Sequence, residues 1–212
     1  MHCRPGAARQ LAAIWVGLGG FVTRQKLEQI GVDVGCDRNG NPSYSAWFEL
    51  VPYPAYSIAR PVGAGDVVSA SVEVTGGWAE LRLADATRHW AALRRVTWPL
   101  PDTSSAEWIV EAPGSCVRSS CQQAPLADFG TVTMLGIHAV DGAVTGSLAD
   151  RAWKVSALRI VPGHLTGTLG VEEPVATVTP DRPTGSPAGA VPGPVSADGS
   201  AFTIRWVPDA SP

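Results

Sequence analysis

The sequence predicts an all-β protein built as an antiparallel β-sandwich or a barrel. Short runs in which apolar and polar residues alternate recur about every 10–12 residues, a spacing typical of such folds. Turn-forming segments such as NGNP, GAGD and TGG separate these runs, and only 17% of the 212 residues are charged. A chain of this length can bury a core large enough for one such domain, so we expect a single domain over residues 1–212.

Ten runs carry the strand prediction. In chain order they are AIWVGLG (13–19), LEQIGVDVG (27–35), YSAWFELV (44–51), DVVSASVEVTG (66–76), WAELRLADAT (78–87), RHWAALRRV (88–96), AEWIVEA (106–112), FGTVTMLGIHAV (129–140), WKVSALRIV (153–161) and SAFTIRWV (200–207). A short helix over ADRAWKVSALRI (149–160) is an alternative for the ninth run. A long Pro/Gly-rich loop, 172–199, precedes the final strand at 200–207.

Charge and hydropathy exclude two classes of partner. The net charge is −3 and the basic residues are scattered, which argues against nucleic acid. No apolar run reaches the ~18 residues of a membrane span. Arg4 and Arg9 followed by LAAIWVGLGGFV resemble the start of a signal peptide, but no small-residue cleavage site follows. We therefore interpret this stretch as a strand and the export signal as incomplete.

The four cysteines permit several interpretations. Cys116 and Cys121 close a six-residue loop in which a local disulfide is plausible, yet four cysteines allow three full pairings, and four free thiols are the alternative. Their spacing to histidines does not match a zinc finger. We expect no metal and no cofactor.

Three of the predicted strands place four polar residues and a tryptophan opposite an apolar face. These residues are Gln29 and Asp33 in QIGVDV, Trp47 and Glu49 in YSAWFEL, and Glu111 in EWIVE. If the three strands share one sheet, the five side chains line one surface, as in a groove that binds a peptide or a carbohydrate. An ordinary solvated sheet face is the alternative.

A family resemblance favours the groove. LEQIGVD, YSAWFELVP, GDVVSASV, EWIVE and LADFGTVTM occur here in the order and at the spacing found in the glutamic peptidases, also called eqolisins or peptidase family G1. The resemblance runs from about Trp15 to Val132, and more weakly to Val207. It implies a jelly-roll, lectin-like β-sandwich of two bent antiparallel sheets with the active site on the concave sheet.

The resemblance also implies a function and a set of site residues. It identifies Gln29 and Glu111 as the catalytic pair of an acid endopeptidase, in which Glu111 activates water and Gln29 stabilises the tetrahedral intermediate. It assigns substrate binding to Trp15, Asp33, Trp47 and Glu49. The expected protein is a secreted monomer that acts on proteins or peptides.

Some features depart from the family pattern. The family's N-terminal strand with a Trp-Gly pair is not found before Trp15, so we expect that strand to be missing. Gly19 and Ser45 stand where well-known members carry acidic residues, so we expect fewer carboxylates around Glu111 than in those members.

Two other function classes remain open at this point. A non-catalytic sandwich that binds carbohydrate or peptide could use the same face, but it has no need for Gln29 together with Glu111. A glycosidase could use Glu49 and Glu111 as its paired carboxylates, but it leaves Gln29 without a role.

Overall fold

The computed structural model describes residues 2–3, 5–6, 8–21, 26–117, 120–158 and 189–208, without the side chains of 115–117 and 120–122. These residues form strands and no helix, which confirms the predicted all-β class. The strands are β1 (Gln10–Gly19), β2 (Leu27–Cys36), β3 (Pro42–Val51), β4 (Tyr56–Ile58), β5 (Val68–Thr75), β6 (Trp78–Asp85), β7 (Trp90–Thr97), β8 (Ala106–Glu111), β9 (Gly114–Val117), β10 (Ser120–Gln123), β11 (Thr131–Leu135), β12 (Ala139–Asp141), β13 (Val144–Gly146), β14 (Gly189–Pro192) and β15 (Ala201–Val207). Across the described ranges, no helix is long and apolar enough to cross a membrane.

The first of two compact units comprises Cys3–Val110. It holds a five-stranded sheet in the order β4-β3-β2-β1-β8, here called the site sheet, and a three-stranded sheet in the order β5-β6-β7. Strands β1 to β4 pair antiparallel with their neighbours in the chain, and so do β5 to β7. The predicted strand runs in this unit are thus confirmed, while the three-residue β4 was not predicted.

One face of the site sheet packs against the three-stranded sheet. Ile30 and Val32 of β2 share a buried cluster with Leu81 and Leu83 of β6, and all four side chains are at most 8% exposed. Alternation along both strands produces this core, because every second side chain points to the same face. Burying one such side chain contributes about 1.5–3 kcal/mol, so the two faces hold this unit together as a sandwich.

The predicted TGG turn joins β5 to β6. Gly76 and Gly77 lie between the paired residues Thr75 and Trp78 and have φ angles of 56° and 80°. Two positive φ angles are what a two-residue hairpin turn with the right-handed strand twist requires, and glycine adopts them at little cost.

The second unit comprises Met1–His2 and Glu111–Pro212. It holds a three-stranded sheet in the order β11-β15-β14 and two hairpins, β9–β10 and β12–β13. Strand β15 confirms the predicted final strand at 200–207. Strand β14 lies inside the segment 172–199 that was predicted to be a loop, and it pairs antiparallel with β15. Residues 159–188 lie outside the described residues.

The predicted strand WKVSALRIV (153–161) is wrong in its described part. Residues 153–158 are irregular, and the alternative helix is not formed over 149–158 either. Asp150 accepts a hydrogen bond from the backbone N–H of Ala152 at 2.8 Å, and its carbonyl accepts one from Trp153. Such local hydrogen bonds compete with strand pairing, so the alternating sequence of 153–158 does not form a strand.

Cys3 and Cys36 form a disulfide that ties the segment before β1 to the end of β2. The alternative of four free thiols is therefore wrong. Cys116 and Cys121 lie directly opposite each other in the register of β9 and β10.

Candidate functional site

The second face of the site sheet carries the residues that the sequence singled out. Because Ile30 and Val32 point into the sandwich core, Gln29 and Asp33 point to the opposite face. Gln29 pairs with Glu49 on β3, and the intervening Gly31 pairs with Trp15 on one side and Trp47 on the other.

Gly31 allows the two tryptophans to flank β2. A Cβ atom on Gly31 would lie 2.2 Å from the carbonyl oxygen of Ile14 and 2.6 Å from Cβ of Trp15. Both distances are far below van der Waals contact, so only glycine fits this row.

Trp15, Trp47 and Ala13 form a second buried cluster, against which Leu27 and Ile109 pack. Trp15 is 5% and Trp47 is 7% exposed. The sequence predicted that Trp47 lines a surface of the sheet, and its ring is buried there. The two indoles therefore serve as walls around the polar residues of this face.

Gln29 is held by Glu49. Its side-chain Nε2 donates a hydrogen bond to Oε2 of Glu49 at 2.5 Å, and the Gln29 side chain is only 5% exposed. The Oε1 atom of Gln29 is buried and has no hydrogen-bond partner among the described residues. One end of this amide is thus engaged, and the other end is available.

The two half-buried carboxylates beside Gln29 bind protons more tightly than usual. Burial raises the pKa of Glu49, the Gln29 amide partly offsets this, and the negative charge of Asp33 raises it further. Burial likewise raises the pKa of Asp33, against the lowering effects of the Trp47 indole and the Arg9 charge. The Trp47 N–H acts here as a dipole near the carboxylate, because it does not meet the geometry of a hydrogen bond. The site therefore resists the accumulation of negative charge as pH rises.

The first unit brings together five of the six residues predicted for the site. They are Trp15, Gln29, Asp33, Trp47 and Glu49. Glu111 is the half-buried last residue of β8 and belongs to the second unit. The pairing of Gln29 with Glu111 stays a prediction.

The sandwich core contains a buried carboxyl group that was not predicted from the sequence. Glu28 is 0% exposed, and its Oε1 accepts a hydrogen bond from Nε1 of Trp98 in the sandwich core. Burial raises its pKa, the Trp98 bond lowers it, and the charge of Asp102 raises it. Alternation could have found this residue, since Glu28 has the same parity as Ile30 and Val32.

Glu107 on β8 is a further carboxyl group whose pKa is shifted. Burial raises its pKa to about 7, a bond from Ser105 lowers it, and the charge of Asp102 raises it. Among the residues that the structure describes, no group of three or more His, Cys, Asp or Glu side chains is placed to hold a metal ion.

Comparison with known proteins finds a matching family model and similar sequences and structures. The sequence model of a family described as the Peptidase A4 family matches residues 1–159. Aspergillopepsin-2 from Aspergillus niger is 33% identical over 146 residues, which are 66% of this chain and 49% of that protein. The chain therefore spans about half the length of the curated relative that it matches.

Solved structures share the fold. Aspergilloglutamic peptidase from Aspergillus niger has a TM-score of 0.66 at 24% identity and covers 93% of this chain and 99% of its own. Scytalido-glutamic peptidase with a transition state analog inhibitor has a TM-score of 0.68 at 18% identity, over 98% of this chain and 88% of its own. SCP-B, an eqolisin in a complex with the tripeptide Ala-Ile-His, has a TM-score of 0.61 at 19% identity, with the same coverage. At these identities the likeness supports the β-sandwich fold.

Proposed function

Because the chain belongs to the Peptidase A4 family, we propose that it is an acid endopeptidase that uses Glu111 and Gln29 as its catalytic pair. Membership of this family confirms the resemblance that the sequence motifs indicated. The observation that carries the proposal is the Gln29 amide, held by Glu49 on the face of the site sheet that does not pack into the sandwich core. A protein that only binds a ligand has no need for a buried amide paired with a carboxyl group on this face.

The proposed reaction needs a base and a donor. The Glu111 carboxylate takes a proton from water while the water oxygen bonds to the carbonyl carbon of the peptide. An N–H of Gln29 donates to the oxygen on which negative charge develops. Protonated Glu111 then gives its proton to the peptide nitrogen as the C–N bond breaks, and this step restores the carboxylate.

The pKa shifts on this face of the site sheet support activity at acidic pH. The pKa values of Asp33 and Glu49 are both raised by burial, so these groups bind protons more tightly than ordinary carboxyl groups do. A neutral surrounding disturbs a developing oxyanion less than two carboxylates do. The proposed substrates are proteins or peptides, in keeping with the tripeptide and transition state analogs bound to the structural relatives.

An extracellular location is part of the proposal. The Cys3–Cys36 disulfide supports it, because disulfides persist in oxidising compartments and are rare in the cytosol.

Two conservative substitutions test the catalytic pair. Glu111→Gln keeps the shape but removes the proton acceptor, so kcat should fall by roughly 10²–10⁴-fold. Gln29→Glu replaces a donor with a group that repels the oxyanion, so kcat should fall by at least ~10²–10³-fold. Hydrolysis of a peptide at acidic pH measures both, with melting curves to confirm that the variants fold.

The matched control is Glu73→Gln. It makes the same chemical change at an exposed position on β5, and it should hydrolyse peptide at the parent's rate. If both site variants also hydrolysed peptide like the parent, the peptidase proposal would be wrong and a peptide-binding or carbohydrate-binding role would replace it.

A further inference from the structure

The orientation of the Gln29 amide decides what this side chain can do. An amide has a donor end and an acceptor end of nearly the same shape, and rotation by half a turn exchanges them. Gln29 lies between Glu49 on β3 and Gly17 on β1, and glycine offers no side-chain partner. Glu49 is therefore the described side chain that selects which end of the amide points away from β3.

Glu49 can accept or donate, depending on its proton. As a carboxylate it accepts a hydrogen bond from Nε2, and the oxygen end of Gln29 then points away from Glu49. As a neutral acid it can donate its O–H to Oε1, an atom that is buried and otherwise unpartnered among the described residues. In this second arrangement the NH₂ group of Gln29 points away from Glu49.

Burial and a neighbouring negative charge favour the neutral form of Glu49. Burial raises the pKa of Glu49, and the charge of Asp33 on β2 raises it further. Arg9 acts on Asp33, whose own pKa is also raised. On the other side of β3, Tyr56 of β4 stacks on Phe48, which belongs to the opposite face of the sheet.

We propose that Glu49 is a positioning residue whose proton sets the orientation of the Gln29 amide and thereby switches its ability to stabilise an oxyanion. The inference rests on the proposed function. Neutral Glu49 turns the donor end of Gln29 toward the forming oxyanion. Ionised Glu49 turns the oxygen toward it, and the two negative ends repel each other. Activity therefore declines as pH rises through the titration of Glu49, because the neutral form exists below that pH.

Substitutions at Glu49 separate positioning from a merely structural role. Glu49→Gln can donate to Oε1 of Gln29 at every pH, so the decline of kcat on the neutral side should disappear or move upward by at least about one pH unit. Glu49→Ala provides no partner, so kcat should fall by roughly 10²–10³-fold, the cost of one oxyanion donor. The change in KM should be several-fold smaller than the change in kcat. Glu73→Gln should show the parent's pH profile.

The proposal is overturned if Glu49→Gln keeps the parent's decline on the neutral side, or if Glu49→Ala keeps the parent's kcat. Circular dichroism at each pH shows that the profile is not one of unfolding. An independent readout is the ¹⁵N resonance of the Gln29 side-chain amide, assigned by its loss in Gln29→Glu. This resonance should titrate in the parent and not in Glu49→Gln; identical titration in both refutes the switch.

This resonance also keeps the two proposals apart. If the parent and Glu73→Gln hydrolyse no peptide, the proposed function fails, and the amide titration alone decides whether Glu49 orients Gln29.

Discussion

At the scale of single residues, the site depends as much on an absent side chain as on those present. Gly31 lies between Trp15 and Trp47, and its missing Cβ lets both indoles approach the β2 backbone. The polar residues Gln29 and Asp33 stand on either side of this point along the same strand. The glycine thus brings apolar walls and polar groups together on one face.

Gly31→Ala tests this arrangement. The new methyl group meets backbone atoms of β1 rather than the end of a flexible side chain, so the strands must move apart. We expect the free energy of unfolding to fall by about 1–3 kcal/mol, the usual cost of overpacking. Denaturant unfolding measures it, and Ser43→Ala, an exposed change in the same sheet, is the control. A stability equal to the parent's contradicts the packing described for this row.

At the scale of elements, several polar contacts lie where the segment before β8 meets the end of β1. The N–H of Gly19 at the end of β1 donates to the carbonyl of Ser105 at 2.9 Å, and the Ser105 hydroxyl lies 3.0 Å from Oε1 of Glu107. Asp102 accepts a bond from the N–H of Gly20 at 3.3 Å. The start of β8 therefore places two carboxylates next to the end of β1.

Glu107→Gln should flatten the pH dependence of stability. The pKa of Glu107 is about 7 in the folded protein against an ordinary value of 4.5, so folding favours the protonated form. The stabilisation is complete below the ordinary value and is lost as pH rises to about 7. The variant carries no proton to lose, and its melting temperature should fall less over this interval. If the melting temperatures of parent and variant fall equally with pH, Glu107 is not the group responsible. The variant should still hydrolyse peptide at acidic pH.

At the scale of the whole molecule, the disulfide closes a loop over a sequence separation of 33 residues, from Cys3 to Cys36. Such a cross-link restricts the unfolded chain and adds about 3–4 kcal/mol of stability in the chain-entropy account. The double variant Cys3→Ala/Cys36→Ala should lose about this much free energy of unfolding. Denaturant unfolding of parent and variant under oxidising conditions measures the loss. A variant as stable as the parent shows that the cross-link does not restrain the unfolded chain.

Local alternation predicted the strands that carry the site. In β2 and β3 every second residue is apolar, and this pattern placed Gln29, Asp33 and Glu49 on the correct face. Strands β4 and β14 have three and four residues, too few to show a period. The bond between Glu28 and Trp98 joins residues 70 positions apart, and nothing local in the sequence indicates it.

Glu28 and Gln29 are neighbours in the chain, yet they serve opposite sides of β2. The first accepts a hydrogen bond from Trp98 within the sandwich core, and the second belongs to the proposed site. A pairing error of one residue would exchange the two sides and push Gln29, Gly31 and Asp33 into the core. Strand β2 therefore fits the sandwich in one register only, because a shift of one residue would bury Gln29 and Asp33 among apolar side chains.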